Sequence, residues 1–495
     1  MIDVKSLINR PPRSSGGPFG QSASTTNQTV ESATPLPFSV ESAPPPVTSP
    51  DSSANPLPTK DLTSKKSFNW LKPLLVIVVL LILGAGGYFW WQNQDSPLAP
   101  GQETQITYWG LWEPESVMAG LIEEFEKENP RIKINYTQQN VIDYRQRLQS
   151  ALASGTGPDI FRIHNTWLPM FINDLAPVPP DLVQSLSLET NYYPVVRESW
   201  FSQGNFYGLP LMFDSLALFY NKTIFAENQL SPPQDWDQFR QIANQLTVRD
   251  ENGRILQAGA AMGAASNVDH WSDILGLMMI QNGAQIAGPY GVDAQQALDF
   301  FMVFSRQDQV WDETLPNSTR AFAGGKLALF FAPSWRIINI NELNPDLEFG
   351  VVPVPQLPGR EAVTWATFWV EGVSVRSEKQ AAAWKFLEFL STKESLERIF
   401  KAGSQVHYIG QLYPRIDMAD QLKSDPLLAP FIEQGQDAKS WYLSSRTFDN
   451  GINDSIIKYF EDAVNRSLRG ADSELETTVT QGVASILDRY RAGRL

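Results

Sequence analysis

Between Gln105 and Lys222 the apolar and polar positions follow two rhythms in turn, one of period two and one of helical period, and each change of rhythm marks a new element. Ile106-Thr107-Tyr108-Trp109 is rich in strand formers. Pro114 then suits a first helical turn, with Val117, Met118, Leu121, Ile122 and Phe125 at helical spacing. Ile132 to Tyr136 alternates as a strand does. Asp143 is placed to cap a helix that carries Tyr144, Leu148, Ala151 and Leu152 on one face and ends at Gly155. Asp159 to Ile163 predicts the next strand. Strand and helix alternating at this spacing imply parallel pairing with right-handed crossovers, an α/β sheet wound with helices on both faces. Ligands of such sheets bind beyond the carboxyl ends of the strands, here residues 109–113 and 164–167.

A different pattern lies upstream. Leu74 to Trp91 is an almost unbroken apolar run without a charge; at roughly 1.5 Å per residue it spans about 27 Å, close to the ~30 Å of a bilayer's hydrocarbon layer. The long segment before it and the lack of a clear small-residue cleavage site favour an uncleaved anchor over a signal peptide. Lys60, Lys65, Lys66 and Lys72 precede the run and Asp95 and Glu103 follow it, which predicts a cytoplasmic N-terminus. Trp70, Trp90 and Trp91 suit the membrane interface. Met1 to Thr59, rich in Pro, Ser, Thr and Gly, reads as a solvated, disordered spacer. The expected organisation is a cytoplasmic tail over 1–72, a transmembrane helix over 73–91, a linker over 92–103 and an outer domain over 104–495.

Composition narrows the partners. The net charge of −15 speaks against nucleic acid, whose phosphates need a basic surface. With no cysteine there is no disulfide, thiolate metal site, cysteine nucleophile or lipid-bearing cysteine. His164, His270 and His407 form no metal-spaced pair, so neither metal nor cofactor is expected. Gly324-Gly325-Lys326 resembles part of a phosphate loop but lacks its first Gly and the following Ser or Thr. Paired carboxylates for glycoside hydrolysis stay open, because two such groups need only meet in space.

Several strings resemble one family. They are Phe125-Glu126-Lys127-Glu128-Asn129-Pro130, Gly155-Thr156-Gly157-Pro158-Asp159-Ile160, Gly208-Leu209-Pro210, Leu218-Phe219-Tyr220-Asn221-Lys222, Pro232-Pro233-Gln234-Asp235-Trp236, Phe322 to Leu329, Pro333-Ser334-Trp335 and Ala383 to Leu390. In order and spacing they are similar to the extracellular solute-binding proteins of sugar ABC transporters, the maltose-binding-like family, from about Thr104 to the C-terminus. The resemblance implies a two-lobe, Venus-flytrap α/β fold with the chain crossing between lobes near 213–217, 365–370 and 427–439. Lobe one would then hold about 104–214 and 370–430, and lobe two about 215–365 and 438–495. It also implies a carbohydrate ligand, permease subunits as partners and a monomeric chain.

A sugar cleft needs aromatic faces for the C–H side of a pyranose and polar groups for its hydroxyls. Trp109, Trp112 and Trp167 follow strand ends, each competing with ordinary packing under a loop. Trp335, in its Pro-Ser-Trp string, resembles the family's stacking tryptophan. Trp365 and Trp369 lie near a crossing, and Trp271 is a candidate that also reads as a helix start. The polar candidates are Glu113, Asn165, Asp214, Arg336, Glu371 and, from the last third, Asn450 with Asp449; Asp214 leads because relatives carry a cleft-facing carboxylate on the first crossing strand. The tryptophan that relatives often carry in the last third is not found at the matching position. By contrast Trp236 and Trp384 read as core. The expected function is a membrane-anchored binding protein delivering sugar to a permease; a glycan sensor or adhesin and a glycan-active enzyme are the alternatives.

Overall fold

The computed structural model describes residues 103–285, 288, 291–444, 447–471 and 479–491. The apolar run Leu74–Trp91, the tail before it and most of the linker lie outside these residues, and among the described residues no helix is long and apolar enough to cross a membrane. In chain order the strands are β1 Thr104–Gly110, β2 Ile132–Gln138, β3 Ile160–His164, the short pair β4 Phe201–Ser202 and β5 Asn205–Phe206, β6 Ala217–Asn221, β7 Val248–Arg249, β8 Ile255–Ala260, β9 Leu327–Ala332, β10 Phe349–Val352, β11 Thr364–Trp365, β12 Trp369–Val373 and β13 Ala438–Lys439.

Two mixed sheets organise two α/β lobes. In the first, ordered β12-β3-β1-β2, β1 pairs in parallel with β2 and β3, as the alternation of strand and helix predicts. β12 adds an antiparallel edge that arrives from far along the chain, with Trp369 opposite His164. Ile106 and Tyr108 point into the core at period two, while β3 is buried along its whole length, including Arg162 and His164. The crossover helix Glu115–Glu128 buries Val117, Met118, Leu121 and Phe125, and Phe125 meets Phe386 of the helix Gln380–Leu390 at 4.9 Å. The helix Tyr144–Ser154 ends on Gly155, whose φ of 76° lets its N–H reach the carbonyls of Ala151 and Leu152. Its start differs from expectation: Asp143 takes a left-handed conformation and its side chain makes no capping bond.

The second sheet, ordered β10-β6-β9-β8-β7, has only the β8–β9 pair parallel. Its centre, β9, is buried at every residue. The helix Trp236–Gln245 packs on β8, with Trp236 meeting Phe331 of β9 at 5.6 Å, and the helix Trp271–Gln281 packs on β11 and Val292–Arg306. Trp236 is buried with its indole N–H on Gln281, and Trp384 is buried on the face shared with Leu387 and Leu390; both are core residues, as the sequence indicates.

The three stretches near 214–216, 364–367 and 438–439 run side by side. Leu216 N–H donates to the Trp365 carbonyl (2.8 Å), Thr367 N–H to Asp214 (3.0 Å) and Ala366 N–H to Lys439 (2.8 Å). β11 and β13 pair in parallel. Further on, the helix Ile452–Leu468 packs on Val292–Arg306, whereas Thr480–Arg491 packs on both Ile452–Leu468 and Leu168–Phe171. The C-terminal stretch expected in lobe two therefore also buttresses the first lobe.

Candidate ligand-binding site

The carboxyl ends of β1 and β3 and the start of β12 share one edge of the first sheet. Residues just past those ends, Trp112 and Glu113, and residues at them, His164 and Trp369, line a cavity of about 490 Å³. Asp214, Ser334 and Trp335 close it from the crossing strand and the second lobe. Of the residues expected from sequence, the cavity brings together Trp112, Glu113, Asp214, Trp335 and Trp369.

Trp369 is the aromatic hub of the first wall. Its ring meets Trp112 edge-on at 5.4 Å, Trp167 at 5.3 Å and His164 at 5.1 Å. Trp167 is only 1% exposed and does not reach the cavity; it packs on Phe171 and Tyr144, so its role is to hold Trp369. Trp109 lies within β1, partly buried against the core and outside the cavity lining.

Beneath this wall lies a sealed charge cluster. Arg162 pairs with Glu113 through Nη1 and with Glu371 through Nε at 2.5 Å, while the Tyr108 hydroxyl donates to Glu371 (3.0 Å) and the Tyr136 hydroxyl to the Glu113 carbonyl (2.6 Å). Glu371 is fully buried, which corrects its expected place in the cleft: as a ligand of Arg162 it fixes the guanidinium that in turn orients Glu113. Burial raises its pKa, with Arg162 opposing the shift.

His164, in the strand end 164–167 expected to face the ligand but not singled out as a site residue, lines the cavity. Its Nδ1 is 2.8 Å from Thr166 Oγ1 and its Nε2 3.0 Å from Thr367 Oγ1. Burial lowers its pKa to about 3, so the ring is neutral.

Asp214 joins the two halves of the site. β6 begins opposite the end of β9, Ala217 facing Ala332, which brings Asp214 to the Pro333-Ser334-Trp335 turn. Its carboxylate accepts from Ser215 N–H (2.8 Å), Ser334 N–H (3.0 Å) and Ser334 Oγ (2.8 Å). Burial nonetheless pushes its pKa up to about 7, against these hydrogen bonds. Its oxygens hold the turn that presents Trp335.

Trp335 is 38% exposed inside the cavity, unlike the other candidate tryptophans. Arg336 lies over its ring at 4.2 Å and His270 stands edge-on at 5.5 Å. Arg336 Nε donates to His270 Nε2 (3.0 Å), His270 Nδ1 is 3.6 Å from Asp273, and Asp273 accepts from the indole N–H of Trp365 (3.1 Å). Arg336 and Trp365 therefore serve as supports behind Trp335 and not as cavity lining. Trp365 is fully buried, and Gly276 makes room for it: a Cβ there would come within 2.5 Å of the ring. Trp271 is 3% exposed and opens the helix Trp271–Gln281, the bland alternative of the sequence reading.

Asn165 and Asn450 also fall outside the lining. The Asn165 amide is occupied by Ser440 Oγ (2.8 Å) and Phe368 N–H (3.2 Å), which ties two crossing stretches together. Asn450 is exposed, with its carbonyl accepting from Arg145, while the buried Asp449 carboxylate accepts from Gly451 and Asp454 N–H at the start of the helix Ile452–Leu468. Between them and the cavity stands Phe448, 64% exposed, with φ of 49°. It supplies an aromatic ring to the cavity from the last third of the chain. Sequence reading missed it by looking for tryptophan alone. Among the described residues no group of three or more His, Asp or Glu is placed to hold a metal ion.

A family profile described as "Bacterial extracellular solute-binding protein" matches residues 120–430. The chain belongs to that family. This solute-binding protein is 24% identical over 369 residues to the maltotriose-binding protein of Pyrococcus abyssi, covering 69% of this chain and 73% of that one. It is 23% identical over 306 residues to the diacetylchitobiose binding protein DasA of Streptomyces coelicolor, covering 57% and 68%. Among solved structures, the sugar-binding protein MalE of Xanthomonas citri superposes with a TM-score of 0.64 at 21% identity, covering 79% of this chain and 98% of the other. A cyclo/maltodextrin-binding protein complexed with maltotetraose gives 0.62 at 16%, covering 80% and 98%. At these identities the structural likeness carries the two-lobe fold.

Proposed function

We propose that this solute-binding protein captures a carbohydrate by closing its two lobes and delivers it to an ABC transporter permease from the outer face of the membrane, acting as a monomer and without catalysis. The observation that carries this reading is Trp335: a large ring left exposed inside a cavity, backed by Arg336 and facing a site that also holds Trp112, Trp369 and carboxylates. Such a ring covers the C–H face of a pyranose, and the carboxylates and amides around it suit hydroxyls. Relatives named as binders of maltotriose and diacetylchitobiose support a saccharide ligand and a binding role over an enzymatic one. The anchor rests on the sequence Leu74–Trp91 and its flanking charges.

A ligand that touches both lobes binds the closed form better than the open one, and that difference alone shifts the population. Calorimetric titration of the full-length chain against mono- and oligosaccharides, with analysis for reaction products, tests the reading. Saturable heat with the sugar recovered intact supports it, whereas products would make the chain an enzyme. Protease added to intact cells should remove the outer domain; digestion only after permeabilisation would reverse the orientation.

A further inference from the structure

The cavity has two walls of opposite chemistry. One is the aromatic and polar end formed by Trp112, Glu113, His164, Thr367, Trp369 and Trp335. The other is built by the helices Glu115–Glu128 and Lys393–Val406, which pack on each other, and by the segment that follows the second of them. That wall presents Val117, Ile399, Ile409 and Leu412, joined by Met212 from the stretch before Asp214. Each of these is at most 8% exposed, so the wall is tightly packed and offers the cavity a small apolar surface. It also contains two glycines, Gly403 and Gly410: a Cβ on Gly403 would lie 3.4 Å from the Gly410 Cα, and one on Gly410 2.3 Å from the Phe400 carbonyl. No side chain rises from the wall there. Its polar side chains are His407 and Gln411.

A sugar ring fits such a wall poorly, because nearly every ring carbon carries an oxygen and aliphatic side chains leave those hydroxyls without partners. An apolar group fits it well, since it loses no hydrogen bond and removes its own surface from water. Both walls line the same cavity. Building on the sugar-binding reading, we infer that the ligand is a saccharide bearing an apolar substituent, its ring at the Trp112, Trp335 and Trp369 end and its alkyl or aryl group against Val117, Ile399 and Ile409.

The test titrates the full-length chain with glucose, maltose, cellobiose and diacetylchitobiose, each free and as its hexyl glycoside below the micellar concentration. The hexyl form of the preferred sugar should bind at least about ten-fold tighter than the free sugar. Ile399→Gln should bring the two forms within about two-fold of each other while leaving the free sugar's affinity unchanged. Free and hexyl forms that bind alike to the unmodified chain overturn the inference and leave sugar binding intact, the wall then serving only as a contact surface for Ile338 on closure. Hexyl glycosides that all bind equally, whatever their sugar, overturn it too, because the cavity is then a plain apolar pocket. If no saccharide binds in either form, the sugar-binding reading itself falls and this inference with it.

Discussion

The two sides of the cleft support their tryptophans by opposite means. Behind Trp112 and Trp369 the first lobe places one guanidinium between two carboxylates, Glu113 and Glu371, with all three side chains at most 6% exposed. Behind Trp335 the second lobe places Arg336, only half-buried, against His270, whose pKa burial lowers. The first arrangement is part of the core: its charges have no water to fall back on, so the wall is fixed as long as the lobe is folded. The second stands at the surface of its lobe, and its loss leaves the core beneath it packed. The difference separates residues whose substitution unfolds the protein from residues whose substitution only weakens binding.

The largest effect should come from breaking the sealed cluster. Arg162→Met leaves Glu113 and Glu371 buried without their cation and should lower unfolding free energy by about 3–5 kcal/mol in denaturant titration. A loss below about 1 kcal/mol would mean that water reaches the carboxylates. Next comes Asp214, which belongs to neither wall and ties them together. Its folded-state pKa of about 7 lies above the ordinary 3.8, so the folded chain keeps a proton that the unfolded chain has lost. Stability should therefore fall as pH rises from about 4 to about 7, by up to roughly 4 kcal/mol, and this component should be missing in Asp214→Asn. A constant difference between the two chains across that window would place the folded carboxyl at its ordinary value.

Trp335→Ala should weaken sugar affinity by more than about 1 kcal/mol in calorimetry while the unfolding midpoint stays put. Unchanged affinity would remove Trp335 from the site, and a collapsed midpoint would make its wall as structural as the other. The smallest effect should come from Arg336→Met, which removes the cation over the ring: affinity should drop by about 0.5–1 kcal/mol with little change in stability. An effect as large as that of Arg162→Met would erase the contrast between the two supports.

Much of the architecture follows from local pattern. Ile106 and Tyr108 at period two, Val117 to Phe125 at helical period and Gly155 at a left-handed helix end are each specified within a few residues of chain, and the structure places them as that local chemistry requires. Pro333-Ser334-Trp335 was legible only through its resemblance to a family string, and in the structure it lies between a buried strand and a helix. What no local pattern holds is which tryptophan or carboxylate is left facing the cavity. Trp365 and Trp335 look alike in sequence, but Gly276 and Asp273 enclose the first. Glu113 and Glu371 look alike too, and only their meeting with Arg162, 49 and 209 residues away along the chain, sends one to the cavity edge and seals the other in the core. Phe448 lines the cavity next to Asp449, whose carbonyl is held by Arg145, 304 residues before it in the chain. Secondary structure is decided by neighbours in sequence, through backbone conformation and side-chain periodicity. Exposure at a site is decided by partners brought together only when the chain folds, and so the tertiary structure alone could assign it.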